Sequence, residues 1–446
     1  MMGFRIQLSD HFDYWRLLRF TMPTVLMMLF SSFYGVVDGL FVANYAGKTA
    51  FAAVNLIWPY PMVIGALGYM FGTGGCALVS KTLGEGNSPK SRGYFTMLLI
   101  VAFSIGCLIS TIGYFYVEDV VRFLGATEGE LWNDCVVYGK LIMCSMPFFI
   151  MQTMFQPFMI AAEKPTWGFG IILAAGLINI NLDALLIAFF NKGVEGAGVA
   201  TLISQVCGTL LPCLFFALHK PSNLYFSKPI FNWQALRKAC TNGSSEFIVN
   251  ASMPIVNLIY VYLLWKTCGE NGVGAYGVIM YVNVVFFSVY TGFSMGSAPI
   301  ISYNFGAGKM SEVQNVKKRI IKILGVSAVS VVVLAELLAP LVAKGFAHGD
   351  ANFRNMIYEA FALYAISFLV APFNIFASSF FTALNNGRVS AIIAFSRIFL
   401  FQIGAMLLLP IWLGTNGYWA ALPVAEALCL ITTIYFYVTR KPIYNY

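Results

Sequence analysis

Twelve stretches of about 20 residues or more are nearly free of charge, and each is long enough to cross a bilayer as a helix. They cover approximately residues 20–44, 54–80, 94–117, 136–161, 167–190, 196–218, 244–266, 273–302, 321–343, 357–383, 389–412 and 417–438. Gly272 and Gly274 blur only the start of the eighth. The runs are continuous and do not alternate every second residue, which argues against a β-barrel. Charged residues make up 10% of the chain, where about 25% is usual in soluble proteins. Nineteen acids and 27 bases cannot cover the surface of a 49.2 kDa globule. An aromatic content of 16% likewise excludes a solvated, disordered chain. The chain therefore reads as an all-α polytopic membrane protein with twelve transmembrane helices.

Bases set the orientation. With the N-terminus inside, the inner segments hold 19 bases, the outer loops hold 7, and Arg397 lies within a span. The positive-inside rule then predicts that both termini are cytoplasmic. The net charge of +8 has the same origin, and no aromatic-basic patch points to nucleic acid. The first 19 residues carry Arg5, Asp10, Asp13, Arg16 and Arg19 with no apolar signal core, so no cleaved signal is expected. Nine cysteines form no CxxC pair and read as small apolar fillers.

The chain also repeats itself at an offset of 222 residues: Gly74 meets Gly296, Ser80 meets Ser302, Gly84-x-Gly86 meets Gly306-x-Gly308, and Phe158 and Ala161 meet Phe380 and Ala383. Two six-span lobes follow, residues 1–218 and 244–446, joined by a polar cytoplasmic linker at 219–243. Six is even, so both lobes thread the membrane in the same direction, related by a pseudo-twofold along its normal.

Chemistry in such a chain is sought among its buried charges. His11, His219 and His348 fall in predicted loops and there is no HExxH, so neither an enzyme nor a metal cofactor is expected. Charges inside the spans are few: Asp38, Asp183, Glu246, Glu336, Arg397 and Glu426. Each is costly there unless paired or hydrated. Asp38 lies about 9 Å from the outer end of span one and Asp183 about 10 Å from that of span five. Asn179 precedes Asp183 by one helical turn on the same face. Thr201 enters about 7 Å into span six. Three helices thus bring two carboxylates, an amide and a hydroxyl to one level. They suit a site for a proton or Na⁺, since hard cations take oxygen ligands; a helix brace is the competing reading. At the repeat offset these acids meet Tyr260 and Ala405, so the second lobe lacks the pair.

Glu246, near the predicted start of span seven, reads either as a carboxylate favoured by the helix dipole or as a gating or substrate group. Arg397 and Glu426 read as a structural ion pair. Met27, Phe30, Tyr34 and Met154 are candidates for a cavity taking flat organic cations, because methionine adapts and aromatic faces attract cations. Pro23 removes a backbone hydrogen bond early in span one and marks a hinge.

The segments "PTVLMMLFSSFYGVVDGLFVANYAG" (23–47), "GTGGCALVSKTLGEGN" (72–87), "NINLDALLI" (179–187), "GVEGAGVATLISQ" (193–205), "GSSEF" (243–247) and "PIISYNFGAGK" (299–309) together resemble the multidrug and toxic compound extrusion (MATE) family, most of all its bacterial MepA-like branch. The resemblance covers nearly the whole chain. It implies a V-shaped pair of six-helix bundles that exports drugs against a proton or sodium gradient. It also implies that Asp38, Asn179, Asp183 and Thr201 form the cation site of the first lobe, with Pro23 and Tyr34 in the bending region of the first helix. The second-lobe acid pattern of some sodium-driven members is not matched.

The function expected is a cation-coupled antiporter, taking H⁺ or Na⁺, that exports amphipathic and cationic organic compounds. It is expected to act as a monomer in a bacterial plasma membrane. The alternative is a flippase for lipid-linked precursors, which should line its cavity with several bases; only Arg397 lies within a span here.

Overall fold

The computed structural model describes residues 6–126, 128–218, 223–346 and 350–446. His219, His348, Arg5 and the first four residues of the predicted linker lie outside these. The first half comprises α1 (Tyr14–Phe41), α2 (Lys48–Ile57), α3 (Pro59–Gly84), α4 (Ser88–Phe115), α5 (Val117–Phe123), α6 (Glu130–Ala161), α7 (Pro165–Asp183) and α8 (Gly193–Leu218). The second comprises α9 (Trp233–Gly306), α10 (Met310–Phe346), α11 (Ala351–Ala365), α12 (Ser367–Ala383), α13 (Gly387–Phe395), α14 (Ile403–Leu413) and α15 (Asn416–Tyr444). Three π-helical segments, Val42–Ala46, Ala184–Phe189 and Ser396–Gln402, interrupt the α-helices. A helix satisfies its own backbone polar groups where lipid offers none, which is why long apolar runs take this form. Polar caps mark several starts: the side chains of Asp13, Asn87, Asn232 and Asn386 each accept a backbone N–H from the first turn.

Among the described residues ten helices are long and apolar enough to span, or eleven when α11 and α12, bent by 41°, count as one crossing. One of the ten is α9, whose 74 residues would reach about 110 Å as a straight helix. It does not run straight. Gly269 takes φ 63°, ψ −152°, a conformation glycine tolerates. The rings of Tyr260 and Tyr276 stack at 4.9 Å although 16 residues separate them. The chain therefore reverses at Gly269, and α9 is two antiparallel spans. This is the break that Gly272 and Gly274 obscured in the sequence. The first limb of α9 also begins at Trp233, so residues 233–243, read as polar linker, are helical.

Both ends of the chain lie on one face, the base. There Leu8, Phe12 and Tyr446 join the core of the second half. The chain start straps the two halves together. Leu8 N donates to Glu163 Oε1 of the first half at 2.9 Å, and Asn304 Nδ2 of the second donates to Leu8 O at 3.1 Å. His11 meets Glu312 at 2.7 Å on the same face. Ala235 and Ala239, at the start of α9, pack in return into the aromatic core of the first half around Phe95, Phe155 and Phe216.

Backbones touch where the halves meet at the base. A Cβ on Gly84 would collide with Tyr303 O, and one on Gly306 with Lys81 O. Gly84 and Gly306 are partners at the repeat offset of 222, as are Lys81 and Tyr303. The contact is reciprocal, as a twofold axis between the halves requires. Closer to the mid-plane, Thr21 and Val25 of α1 lie against Gly296 and Gly292 of α9. Ser32 and Ser288 hydrogen-bond across the same seam. Above that level the helices part: Phe33, Leu40 and Tyr281 are more than half exposed, and Gly35 and Gly39 face open space. The halves are in close backbone contact at the base, and these residues of α1 and α9 are less covered towards the other face, the mouth.

Candidate functional site: two facing carboxyls and a buried ion pair

The mouth-side half of α1 packs on α7 through a layer in which Gly176 makes room for aromatic rings. A Cβ there would lie 2.6 Å from the Phe30 ring and 3.5 Å from that of Tyr34. One turn above Tyr34 stands Asp38, and two turns above Gly176 stands Asp183, each followed by a π-helical segment. Such segments gather at functional sites because the wider turn re-aims side chains. Asp183 and Asn179 are buried and Asp38 is half-buried.

The two carboxyls interact electrostatically and lie within hydrogen-bonding reach. Ionised, neither can donate. Both oxygens of Asp183 and Oδ1 of Asp38 accordingly have no partner. Asn179 and Thr201 do not supply one, so the structure brings the carboxyls together without hydrogen-bonding the amide or the hydroxyl to Asp183. Thr201 is half-buried on α8, which packs against α7 and both nearby π segments. Buried polar atoms without partners are costly, and two facing carboxylates repel. One proton or one small cation between them removes both penalties. Among the described residues there is no group of three or more His, Cys, Asp or Glu that could hold a metal ion.

Tyr138 of α6, buried, lies in the field of both acids. Sequence reasoning missed it, since a tyrosine near the end of an apolar run carries no pattern.

The candidate cavity residues separate. Phe30 and Tyr34 remain half-exposed, whereas Met27 and Met154 are buried. Met154 packs behind Gly72 inside the first half, and Met27 lies beside Gly168 of α7. Both are packed in this structure: apolar side chains that fill helix–helix gaps have the same composition as those lining a cavity. Pro23 sits in an unbroken α1 between Thr21 and Val25, the residues that touch α9.

Of the two readings of Glu246, the helix-start one does not fit. Because α9 starts at Trp233, Glu246 lies about 20 Å along the helix, beyond the reach of its N-terminal dipole. It stands one turn above Gly243, whose Cα abuts Met70 O of α3. Its charge is felt by Tyr69 of the first half and Arg397 of the second.

In the second half, Arg397 Nε donates to Glu426 Oε1 at 2.7 Å, with Glu426 fully buried. Asn374 Nδ2 donates to Glu426 Oε2 at 2.8 Å, and Thr433 Oγ1 donates to Asn374 Oδ1 at 2.9 Å. Asn374 and Thr433 were not singled out from the sequence, although an asparagine inside the apolar run of α12 was a visible signal.

The MatE family model matches residues 23–185 and 247–407, displaced by 224 residues at their starts and 222 at their ends, which agrees with the internal repeat. The chain is 24% identical to "Multidrug export protein MepA" of Staphylococcus saprophyticus over 428 residues, 94% of this chain and 92% of that protein. It is also 24% identical to the protein of that name in Staphylococcus aureus MSSA476, over 421 residues and again 94% and 92% of the two. A solved structure described as the outward-facing conformation of a multidrug resistance MATE family transporter of the MOP superfamily superposes with a TM-score of 0.92 at 20% identity, covering 100% of this chain and 99% of that one. With the family model covering both halves, this multi-pass membrane chain belongs to the MatE family of transporters, the multidrug and toxic compound extrusion proteins, and is not an enzyme.

Proposed function

We propose that this protein is an antiporter that takes up H⁺ or Na⁺ at Asp38 and Asp183 and exports amphipathic, cationic organic compounds. The observation that carries the reading is the pair of interacting carboxyls in which both oxygens of Asp183 and Oδ1 of Asp38 are buried without a hydrogen-bond partner. A cation entering from the mouth relieves their repulsion, so α1 and α7 pack more closely. Pro23, at the level where α1 packs on α9 through Thr21 and Val25, is the point at which α1 bends. Phe30 and Tyr34 then move with α1, and the cleft closes on the substrate side. A cation shifts such an equilibrium only by its differential affinity for the two states, so cation and drug must oppose each other. Drug affinity should fall as pH drops or Na⁺ rises. Glu246, at the bottom of the cleft, is the group we assign to gating or to the substrate's charge.

In this reading residues 1–218 and 244–446 are the two moving lobes and 219–243 the linker. The base faces the cytoplasm of a bacterial cell with both termini, and one chain holds a complete cleft. The multidrug export proteins to which the chain is similar support the substrate class.

The test is transport of a fluorescent cation by purified protein in liposomes, with pH and Na⁺ gradients imposed separately. Transport should follow at least one gradient and vanish in Asp183→Asn. Indifference to both would sink the mechanism. Orientation is checked with Trp132→Cys and Thr415→Cys, which should label from outside in a cysteine-free background, against Lys90→Cys and Lys309→Cys, which should not.

A further inference from the structure

Arg397 sits within the π-helical segment Ser396–Gln402 of the span that is repeat-related to the one carrying Asp183 and the segment Ala184–Phe189. The two spans thus carry opposite charges beside their π segments, Arg397 within one and Asp183 immediately before the other. They do so at different depths: Arg397 is about 15 Å along its span from Gly387, and Asp183 about 27 Å along from Pro165. Arg397 is itself mostly buried, over the Phe287 ring at 5.7 Å and against Glu426. The other groups whose charge the pair feels are Glu246 from α9, Tyr364 from α11 and Cys429 from α15; none is basic. Remove the guanidinium and a fully buried carboxylate is left with one neutral amide donor, Asn374 Nδ2. That is close to the condition of Asp183 in the first half.

We propose that Arg397 is a tethered counter-ion, a permanent cation that does for the second half what a captured H⁺ or Na⁺ does for the first, and so confines coupling to one lobe. The proposal rests on the antiport reading above. Arg397 is thereby a positioning residue: it holds α15 against α12 through Glu426 and Asn374 whatever the cation outside. The second half stays packed in one way while the first responds. A plain structural brace would tie the same helices together but would say nothing about cation dependence.

The experiment measures the melting temperature of purified protein in detergent against pH and Na⁺, in an Asp183→Asn background that silences the first site. That background alone should be indifferent to both. Adding Arg397→Met should create a dependence, with a rise of about 5 °C at saturating cation, because a cation that binds only the folded state stabilises it. Adding Glu426→Gln as well should abolish the dependence again. In liposomes, Arg397→Met with the first site intact should move one more cation per substrate than the wild type. A folded Arg397→Met variant with no new cation dependence overturns the proposal. If that variant is not recovered folded, low pH or high Na⁺ during purification should restore it, and failure of that rescue in both Arg397→Met and Arg397→Gln also overturns it. Wild-type transport without any cation gradient would instead sink the antiport reading, and the melting comparison would still stand on its own.

Discussion

In the first half Asp183 is buried with neither oxygen hydrogen-bonded, whereas in the second Glu426 is equally buried with both oxygens occupied, one by Arg397 and one by Asn374. The chemistry of the side chain is nearly the same, and the surroundings decide its use. A satisfied buried pair is a fixed part of the packing, and removing one partner is strongly destabilising. A buried carboxyl beside another carboxyl is unsatisfied, and in the reading proposed above a cation relieves that cost. Two helical lobes built from one repeat have therefore become unlike where charge is placed, while the backbone contact at their base, Gly84 with Tyr303 and Gly306 with Lys81, remains symmetrical.

The contrast can be broken most directly at the acids. Asp183→Asn and Asp38→Asn should each reduce gradient-driven transport in liposomes to the protein-free background, with the protein still monodisperse on size exclusion. Retention of coupled transport in either would place the cation elsewhere. The next effect in size is on stability. Arg397→Ala should lower unfolding stability by about 3–5 kcal/mol, and replacing both partners together, Arg397→Met with Glu426→Gln, should recover most of it. Equal losses in the single and the double variant would mean that packing, not an uncompensated charge, carries the effect. Asn374→Ala takes away the donor to Glu426 Oε2 and should cost about 1–3 kcal/mol. Asn179→Ala, whose amide does not bond Asp183, should cost less in the same thermal assay. The smallest change is expected at Tyr260, which holds the repeat-related place of Asp38. Its hydroxyl makes one long bond, 3.4 Å to Tyr418 O, so Tyr260→Phe should cost less than about 1 kcal/mol and leave the transport rate within about twofold. A loss as deep as that of Asp38→Asn would mean that coupling is not confined to the first half.

Much of this architecture was legible in the chain. Period, length and the near absence of charge name the helices, since lipid admits few alternatives. The offset of 222 names the two halves, because a repeat preserves the glycines at which backbones touch. Asp38, Asp183, Arg397 and Glu426 stood out because charge in a span must have a reason. Other features were not readable from local pattern. Helix α9 starts at Trp233 because residues 233–243 pack Ala235 and Ala239 against the first half, although they look polar in sequence. That contact moves Glu246 from a helix start to about 20 Å along the helix, within the field of Tyr69 and Arg397. Met27 and Met154 have the composition of a cavity lining and the position of a core, and only packing tells these apart.

Which charges are partnered was a question for three dimensions. The sequence sets five intramembrane acids beside one base and pairs Arg397 with Glu426, but it does not show that Asn374 takes the second oxygen of Glu426 or that no donor reaches Asp183. Hydropathy and periodicity are sums along the chain and survive without a fold. The balance of a buried charge depends on atoms a few ångströms away that arrive from other helices. For that reason the helices belong to the sequence, and the hydrogen bonding around each buried charge belongs to the packed structure.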